Sequence, residues 1–301
     1  MINKEYLSLI TDWKKKYFYE IETIDQKSPL TLKSYSKDLE QVFYQVEVKN
    51  KKELTTFKNI EEFLLFKAKQ AQLSWGSLSI ASRNRKSATI KAFFKWLYRK
   101  NYLISPLFEK IKSPKVPQKI PHFISVDEAI FLIQSSTHNL TTNVLICLLY
   151  GGGLRISEAC HIKWSDLDFQ QRKLLVLGKG NKERVIILPK LCFEILNKLK
   201  LVLNSKISQK NYIWGDKPLN QRVAYSMVRK QGALAGLLKP LHPHALRHSY
   251  ATHLLQSGAD LRALQELLGH STLQATEKYT HLTLDQLSNT INKYHPLKTR
   301  I

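Results

Sequence analysis

The 301-residue sequence predicts a mainly α-helical protein with one small β-hairpin, folded as two domains. Most of the chain places apolar residues three or four positions apart, which is the spacing of a helix with one buried face. One pair of short, β-rich runs flanks a glycine-containing turn. A segment rich in proline and lysine, residues 113–121, separates two helical regions and predicts domains at residues 1–112 and 122–301.

The first domain is expected to contain four or five helices and no strand. Helical spacing and residues suited to helix caps recur in four stretches, which read "KEYLSLITDWKKKYF", "SPLTLKSYSKDLEQVFYQV", "NIEEFLLFKAKQAQ" and "SIASRNRKSATIKAFFKWLYRK". In the last stretch, Phe93, Phe94, Trp96 and Leu97 form an apolar side. The lysines and arginines of this helix are therefore expected on its opposite face.

The linker "KIKSPKVPQKIPHF" contains three prolines and four lysines. Proline fixes its own backbone and favours extended conformations in the residue before it, so this segment is not expected to be helical. Because the linker is basic, it could also follow a phosphate backbone.

The second domain is expected to begin with the helix "ISVDEAIFLIQ", where Ser125 and Glu128 have the spacing of a capping box. Farther on, "RKLLVLGKGNKERVIILP" predicts a hairpin with strands at residues 174–177 and 185–188 around a turn that contains glycine. The rest of the domain is predicted to be helical.

The hairpin turn carries Lys179 and Lys182. Such lysines can contact a phosphate or enter a groove, but a polar turn with lysines is also ordinary in any hairpin. The residues alone leave these two interpretations equally open.

The net charge of +23, from 47 Lys and Arg against 24 Asp and Glu, indicates a polyanionic partner, most commonly nucleic acid. The excess is concentrated between residues 83 and 119, which contain eleven Lys or Arg and one acid, Glu109. A solubilising surface or a lysine-rich proteome is the alternative explanation.

No apolar run approaches the roughly 20 residues that span a bilayer, and the longest, "NVLICLLY", runs into glycines. The N-terminal residues lack the features of a signal peptide, so we expect an intracellular protein with no membrane partner. Cys147, Cys160 and Cys192 are odd in number and lie among apolar residues, which predicts reduced thiols in the core.

Two motifs indicate an anion site. In "GGGLRISEA", Arg155 follows three glycines that would let the backbone approach a ligand, although Arg155 could equally pair with Glu158 three residues on. In "PHALRHSYATHLL", His244, Arg247 and His248 share one face of a helix that begins near a proline.

A metal site on these histidines is not expected. Zinc sites with this histidine spacing carry Glu after the first His, where this chain has Ala245, and Arg247 would repel a bound cation. A helix N-terminus with basic side chains suits an anion better.

The segment "LLGHSTLQATEKYTHL" adds His270 and Tyr279, each of which is ordinary by itself. Joined with the other basic candidates, they make a set of two guanidiniums, one ammonium, two imidazoles and one phenol. Cationic donors stabilise the extra charge of a pentacoordinate phosphate, a lysine can protonate a leaving 5′-oxygen, and a phenol can act as nucleophile. No metal, nucleotide or other cofactor is needed, because a phosphotyrosyl bond keeps the energy of the broken diester.

With this set of residues the chain resembles the tyrosine recombinases, the phage integrase family, and within it the Xer-type recombinases. The resemblance rests on "GGGLRISEA", "LGKGNKER", "PHALRHSYATHLLQSGADLRALQELLGHSTLQATEKYTH" and "NKYHP", and it covers nearly the whole chain. Two positions depart from the family: His242 stands where Ser or Thr is more frequent, and Ala275 where Thr is frequent.

The resemblance implies a role for each catalytic candidate. Tyr279 would be the nucleophile, Arg155 and Arg247 would bind the scissile phosphate, and Lys179 on the hairpin would be the general acid. His244 would assist proton transfer, and His270 would hydrogen-bond the phosphate. Glu158 matches a structural position.

The resemblance also implies an N-terminal SAM-like, core-binding domain and a C-terminal catalytic domain, closed as a clamp around double-stranded DNA. For DNA contacts the sequence nominates Arg83, Arg85, Lys86, Lys182, Arg222 and Arg229. Four protomers, identical or from a related recombinase, would assemble on two sites, with the last helix, "LTLDQLSNTINKYH", docking into a neighbour.

The expected function is site-specific recombination that resolves chromosome dimers at a dif-like site during chromosome partition and cell division, in the nucleoid of the cytoplasm. Integration or transposition of a mobile element is the alternative with the same chemistry. A DNA-binding protein without catalysis and a metal-dependent nuclease are alternatives of other classes. Activation by a DNA translocase is left open.

Overall fold

The structure, a computed structural model, describes residues 2–45, 57–117, 123–178, 183–203, 211–268 and 284–298. Contacts between Cα atoms divide the chain into two compact units, Met1–Lys119 and Ile120–Ile301. The division falls inside the proline-rich segment.

The described part of the first unit is helical and contains no strand, as the sequence predicts. Its helices are α1 (Ile2–Thr23), α2 (Pro29–Glu40), α3 (Ile60–Ser74), α4 (Ile80–Arg99) and α5 (Leu107–Lys110), and a π-helical turn (Gln41–Gln45) continues α2. Ser28, Asn59 and Ser79 cap α2, α3 and α4, because each side-chain oxygen accepts a backbone N–H of the first helical turn.

The core of the first unit is rich in aromatic rings. Phe93, Phe94 and Leu97 of α4 are fully buried, and Trp96 is nearly so, which confirms the apolar side predicted for this helix. The ring of Tyr17 from α1 lies 5.2 Å from that of Phe93 and 5.4 Å from that of Trp96, between ring centroids. These contacts fasten α1 to α4. Beyond α5, residues 111–117 form neither helix nor strand, as the prolines predict.

The second unit contains eight helices and one small sheet within its described residues. The helices are α6 (Val126–Ser135), α7 (Leu140–Ile146), α8 (Ile156–Cys160), α9 (Lys190–Leu203), α10 (Gln221–Leu234), α11 (Pro243–Gln256), α12 (Leu261–Leu268) and α13 (Leu284–Tyr294). The capping box of Ser125 and Glu128 is present at α6. None of the helices in the described ranges is both long and apolar enough to cross a membrane.

The sheet is antiparallel, with strand order β1 (Leu167–Asp168), β2 (Lys173–Leu177) and β3 (Glu183–Ile187). The predicted hairpin is β2 and β3, with Leu174 opposite Ile186. Sequence analysis missed β1, because a two-residue strand has no alternating pattern to detect. The turn between β2 and β3, residues 179–182, lies outside the described residues.

The core of the second unit is built around α7 and the π-helical turn (Cys147–Gly151) that follows it. Residues 144–150 are fully buried, so this helix is apolar on all sides and is surrounded by other elements. The three cysteines are buried and free, as expected.

The last described residues complete this core. His295 is fully buried, with its ring centroid 5.6 Å from that of Tyr150 and 5.5 Å from that of Tyr250. Its Nδ1 accepts the backbone N–H of Leu297 at 2.9 Å, and burial lowers the pKa of the imidazole to about 3. His295 is therefore neutral at physiological pH and acts as a core residue.

Candidate active site

Helix α11 presents Arg247 to the interior of the second unit. Pro243 occupies its first turn, and His242 is the N-cap residue: the ring Nδ1 accepts the backbone N–H of Ala245 at 3.1 Å. The imidazole thus fills the role that a Ser, Thr, Asn or Asp side-chain oxygen most often fills at an N-cap. From this helix the Arg247 guanidinium donates to the carbonyl oxygens of Gly153 and Leu268, the latter at 2.6 Å.

The glycine triplet before Arg155 serves packing within the protein. A Cβ atom on Gly151 would collide with the Sγ atom of Cys192, and one on Gly153 would collide with the ring of Tyr250. Gly153 also has a φ of +59°, which side chains disfavour. We expected these glycines to bring backbone close to a ligand, but in the described structure they bring it close to the core and to Arg247.

Glu158 lies at the centre of an arginine cluster, formed by Arg155, Arg184 and Arg247 around this one carboxylate. Arg184 binds both carboxylate oxygens, from Nη1 to Oε1 at 2.9 Å and from Nη2 to Oε2 at 2.8 Å. Arg155 donates its Nη1 to Oε1 and its backbone N–H to Oε2, both at 2.8 Å. Arg247 is more distant, with Nη1 at 3.9 Å from Oε2.

The charges of the cluster are held in place by burial and pairing. Burial alone would raise the pKa of Glu158, but hydrogen bonds from Arg184 and from the Arg155 backbone outweigh it and lower the pKa to about 2. Burial, and then the nearby Arg155, lowers the pKa of Arg247 to about 10. At neutral pH three guanidiniums therefore surround one carboxylate, and the excess positive charge favours an anion.

The sequence left open whether Arg155 pairs with Glu158 or is available to a ligand, and in the structure it both forms the pair and is partly exposed. It forms the ion pair with Glu158 three residues on, and about a third of its side chain (33%) remains exposed, against 11% for Arg247. Beside it opens a cleft of about 550 Å³, lined among others by Ser157, His161 and Glu183. Solvent therefore reaches the cluster from the side of Arg155.

The structure brings together only part of the predicted catalytic set. His244 and His248 are exposed at the start of α11, on the helix that carries Arg247. Three predicted catalytic residues, Lys179, His270 and Tyr279, lie outside the described residues, as do Lys182 and Ala275.

Sequence reasoning missed Arg184, whose guanidinium binds both carboxylate oxygens of Glu158. A signal was present: Arg184 lies two residues before the fully buried Ile186, so strand alternation puts it on the inner face of the hairpin, opposite Val176. An arginine on an inward face requires a carboxylate partner.

Of the three residues nominated for DNA contacts in the first unit, Lys86 is buried, Arg83 is half-buried and Arg85 is exposed. Asp38 is nearly fully buried (2% exposed) and accepts from Arg85 Nη1 at 2.5 Å, from Lys86 Nζ at 3.0 Å and from Thr89. Lys86 is itself buried and also donates to Gln41, so its ammonium points into the first unit. The side chain of Arg85 remains about half exposed.

Helix α10 carries the nominated residues of the second unit. Arg222 and Arg229 are both exposed on this helix, whose N-cap is Asn220. Their guanidiniums are accessible to a partner.

The chain belongs to the phage integrase family. Residues 120–285 match that family, and residues 15–101 match the N-terminal SAM-like domain of phage integrases. Within the family it is a tyrosine recombinase of the Xer type, an enzyme of site-specific DNA recombination.

Two relatives illustrate the similarity. The chain is 32% identical to tyrosine recombinase XerC of Thermodesulfovibrio yellowstonii over 282 residues, which cover 89% of this chain and 90% of the relative. It is 33% identical to tyrosine recombinase XerD of Staphylococcus aureus over 219 residues, covering 69% and 74%.

Solved structures share the fold. XerH site-specific recombinase bound to its difH substrate has a TM-score of 0.65 at 23% identity, covering 92% of this chain and 82% of that one. A lambda integrase dimer bound to a COC′ core site has a TM-score of 0.65 at 18% identity, covering 91% and 98%. The predicted family and fold class are thus confirmed.

Proposed function

We propose that this recombinase cleaves and rejoins DNA strands through a covalent 3′-phosphotyrosyl intermediate. The Tyr279 phenol oxygen forms a bond to the scissile phosphorus while the bond from phosphorus to the 5′-oxygen breaks. Lys179 gives its proton to that leaving oxygen, and His244 accepts the proton of the phenol. Arg155 and Arg247 bind the non-bridging oxygens with His270, and attack of a 5′-hydroxyl reverses the step in the partner strand.

The observation that carries this proposal is the excess positive charge of the arginine cluster. Arg247 is held by two backbone carbonyls, so its guanidinium is fixed before a substrate arrives. Preorganised cations of this kind stabilise the added charge of a phosphoryl transition state without reorganising during the reaction. Glu158 orients the arginines but does not cancel their combined charge.

The nucleophile is tested with Tyr279→Phe on a nicked duplex that traps the covalent complex. The wild type is expected to form an adduct that survives detergent, and the variant is expected to bind the same duplex and form none, because it lacks only the phenol oxygen. An adduct that persists in the variant would remove Tyr279 from this role.

We also propose that the biological substrate is a dif-like chromosomal site, at which the enzyme resolves chromosome dimers in the cytoplasm, in association with the nucleoid. Relatives named XerC and XerD support this, as does the XerH complex with difH. Four protomers, identical or paired with a related recombinase, would act on two sites. Lambda integrase, a structural neighbour, forms a tetramer on a Holliday junction.

The genomic location of the bound sites distinguishes the chromosomal role from the alternative, integration or transposition of a mobile element. Genomic fragments bound by the purified protein are sequenced and footprinted. A single site near the replication terminus is expected, whereas sites at the ends of a mobile element would replace dimer resolution with integration. Measuring recombination at the bound site with and without a purified DNA translocase tests whether a translocase is required.

For DNA binding we propose two domains, residues 1–112 and 122–301, joined by the linker 113–121. Arg83 and Arg85 of the first and Lys182, Arg222 and Arg229 of the second contact the duplex. Lys86 is left out of this set, because its ammonium is used inside the first unit.

A further inference from the structure

Arg184 is the arginine of the cluster for which the proposed reaction has no use. Both of its terminal nitrogens bind Glu158, and its Nε is buried with no hydrogen-bond partner among the described residues. Its side chain is 12% exposed. Every hydrogen bond that the structure gives to this guanidinium therefore goes to one carboxylate.

Glu158 competes with the substrate for the other two arginines. It is an anion within hydrogen-bond distance of Arg155 and 3.9 Å from Arg247, and a phosphate would need the same guanidiniums. A carboxylate already bound at both oxygens by Arg184 has less attraction left for its neighbours. The two-pronged contact also fixes the direction of the carboxylate, and so the place of Arg155.

We propose that Arg184 is a positioning residue for strand cleavage: it occupies and orients Glu158 so that Arg155 and Arg247 remain available to the scissile phosphate. This rests on the proposed function. Arg184 lies near the start of β3, next to the turn that carries Lys179 in the sequence, so the same contact also ties the hairpin to the beginning of α8.

The test compares Arg184→Gln, Glu158→Gln and the double variant in the full chain. The substrate is a nicked duplex with the footprinted site, and the readouts are duplex affinity and the rate of adduct formation. Arg184→Gln is expected to slow cleavage between about tenfold and 100-fold with little change in duplex affinity, because side chains that orient catalytic groups typically have effects of this size. Lys173→Gln is the matched control and should cleave at the wild-type rate. It removes a positive charge from β2, and the Lys173 ammonium donates to Gln171 and not to Glu158.

The double variant distinguishes positioning from packing. If Arg184 acts by occupying the Glu158 carboxylate, removing both charges should restore the rate to within about fivefold of the wild type, because the glutamine oxygen can still accept a hydrogen bond from Arg155 but has no charge that competes with the phosphate. A double variant as slow as Arg184→Gln overturns the proposal, and so does a large loss of duplex affinity in Arg184→Gln.

Circular dichroism shows whether each variant folds. If Arg184→Gln does not fold, Arg184→Lys provides the same test, because it keeps the charge but binds only one carboxylate oxygen. Its cleavage rate should lie below that of the wild type and recover with Glu158→Gln, and no recovery overturns the proposal. A wild type that forms no adduct would instead refute the proposed function, and this inference with it.

Discussion

The effect of Gly153→Ala on the free energy of unfolding can be worked out directly from the structure. At a φ of +59° an alanine loses about 1–2 kcal/mol relative to a right-handed conformation. The added methyl group also collides with the Tyr250 ring, and overpacking of this kind costs about 1–3 kcal/mol more. The free energy of unfolding should therefore fall by roughly 2–5 kcal/mol.

Gly236→Ala is the matched control in the same unit. Gly236 has a φ of +70°, but no atom lies within 4 Å of the position where its Cβ would be, so only the conformational cost applies. The difference between the two variants thus isolates the collision.

The assay is urea unfolding of the full chain, supported by melting temperatures. Gly153→Ala should be less stable than Gly236→Ala by about 1–3 kcal/mol, or about 2–4 °C of melting temperature for each kcal/mol. Tyr250→Leu, which removes the ring, should reduce the excess cost of Gly153→Ala. Equal destabilisation by the two alanines would refute the reasoning.

Four further predictions follow from the pairing of buried charges, from the proposed chemistry and from the proposed DNA contacts. Glu158→Gln should lower the free energy of unfolding by about 3 kcal/mol at pH 7. The pKa of Glu158 falls from 4.5 in the unfolded chain to about 2 in the folded one, and each pKa unit corresponds to ~1.36 kcal/mol. Because the folded pKa is the lower one, the difference is full above pH 4.5 and shrinks as the pH falls toward 2; urea unfolding that shows no such decrease would contradict the assignment. Lys179→Ala should slow cleavage of an ordinary phosphodiester and recover on a duplex with sulfur at the bridging 5′ position, a leaving group that needs no proton; no recovery would move the acid role to Lys182. Lys86→Ala should lower the free energy of unfolding, measured by urea unfolding, by about 3 kcal/mol or less, because Asp38 loses one buried partner but keeps Arg85. Arg222→Ala should leave stability within about 0.5 kcal/mol but weaken DNA binding and its dependence on salt, measured by titration at several salt concentrations.

Local features of this chain were predictable because neighbours in sequence create them. The capping box at α6 needs only residues three apart, and so does the pair of Arg155 with Glu158. The hairpin is equally local, since its two strands are joined by one short turn. These elements follow from spacing and residue type alone.

The arginine cluster as a whole could not be predicted in this way. Arg184 reaches Glu158 from another strand, and Arg247 reaches it from α11, so their meeting depends on how sheet and helices pack. Lys86 shows the same limit, because its partner Asp38 lies on a different helix. The basic residues between 83 and 119 predicted a cationic face, but the sequence could not predict that Lys86 among them would be buried.

The position of His295 affects when the molecule can fold during synthesis. The described core of the first unit draws on residues between Ile10 and Ile111, so it is complete while much of the chain is still untranslated. The core of the second unit extends to Leu297, and the fully buried His295 sits between two of its tyrosines. The second unit therefore cannot close until its residues up to Leu297 have left the ribosome, and the first unit matures ahead of it.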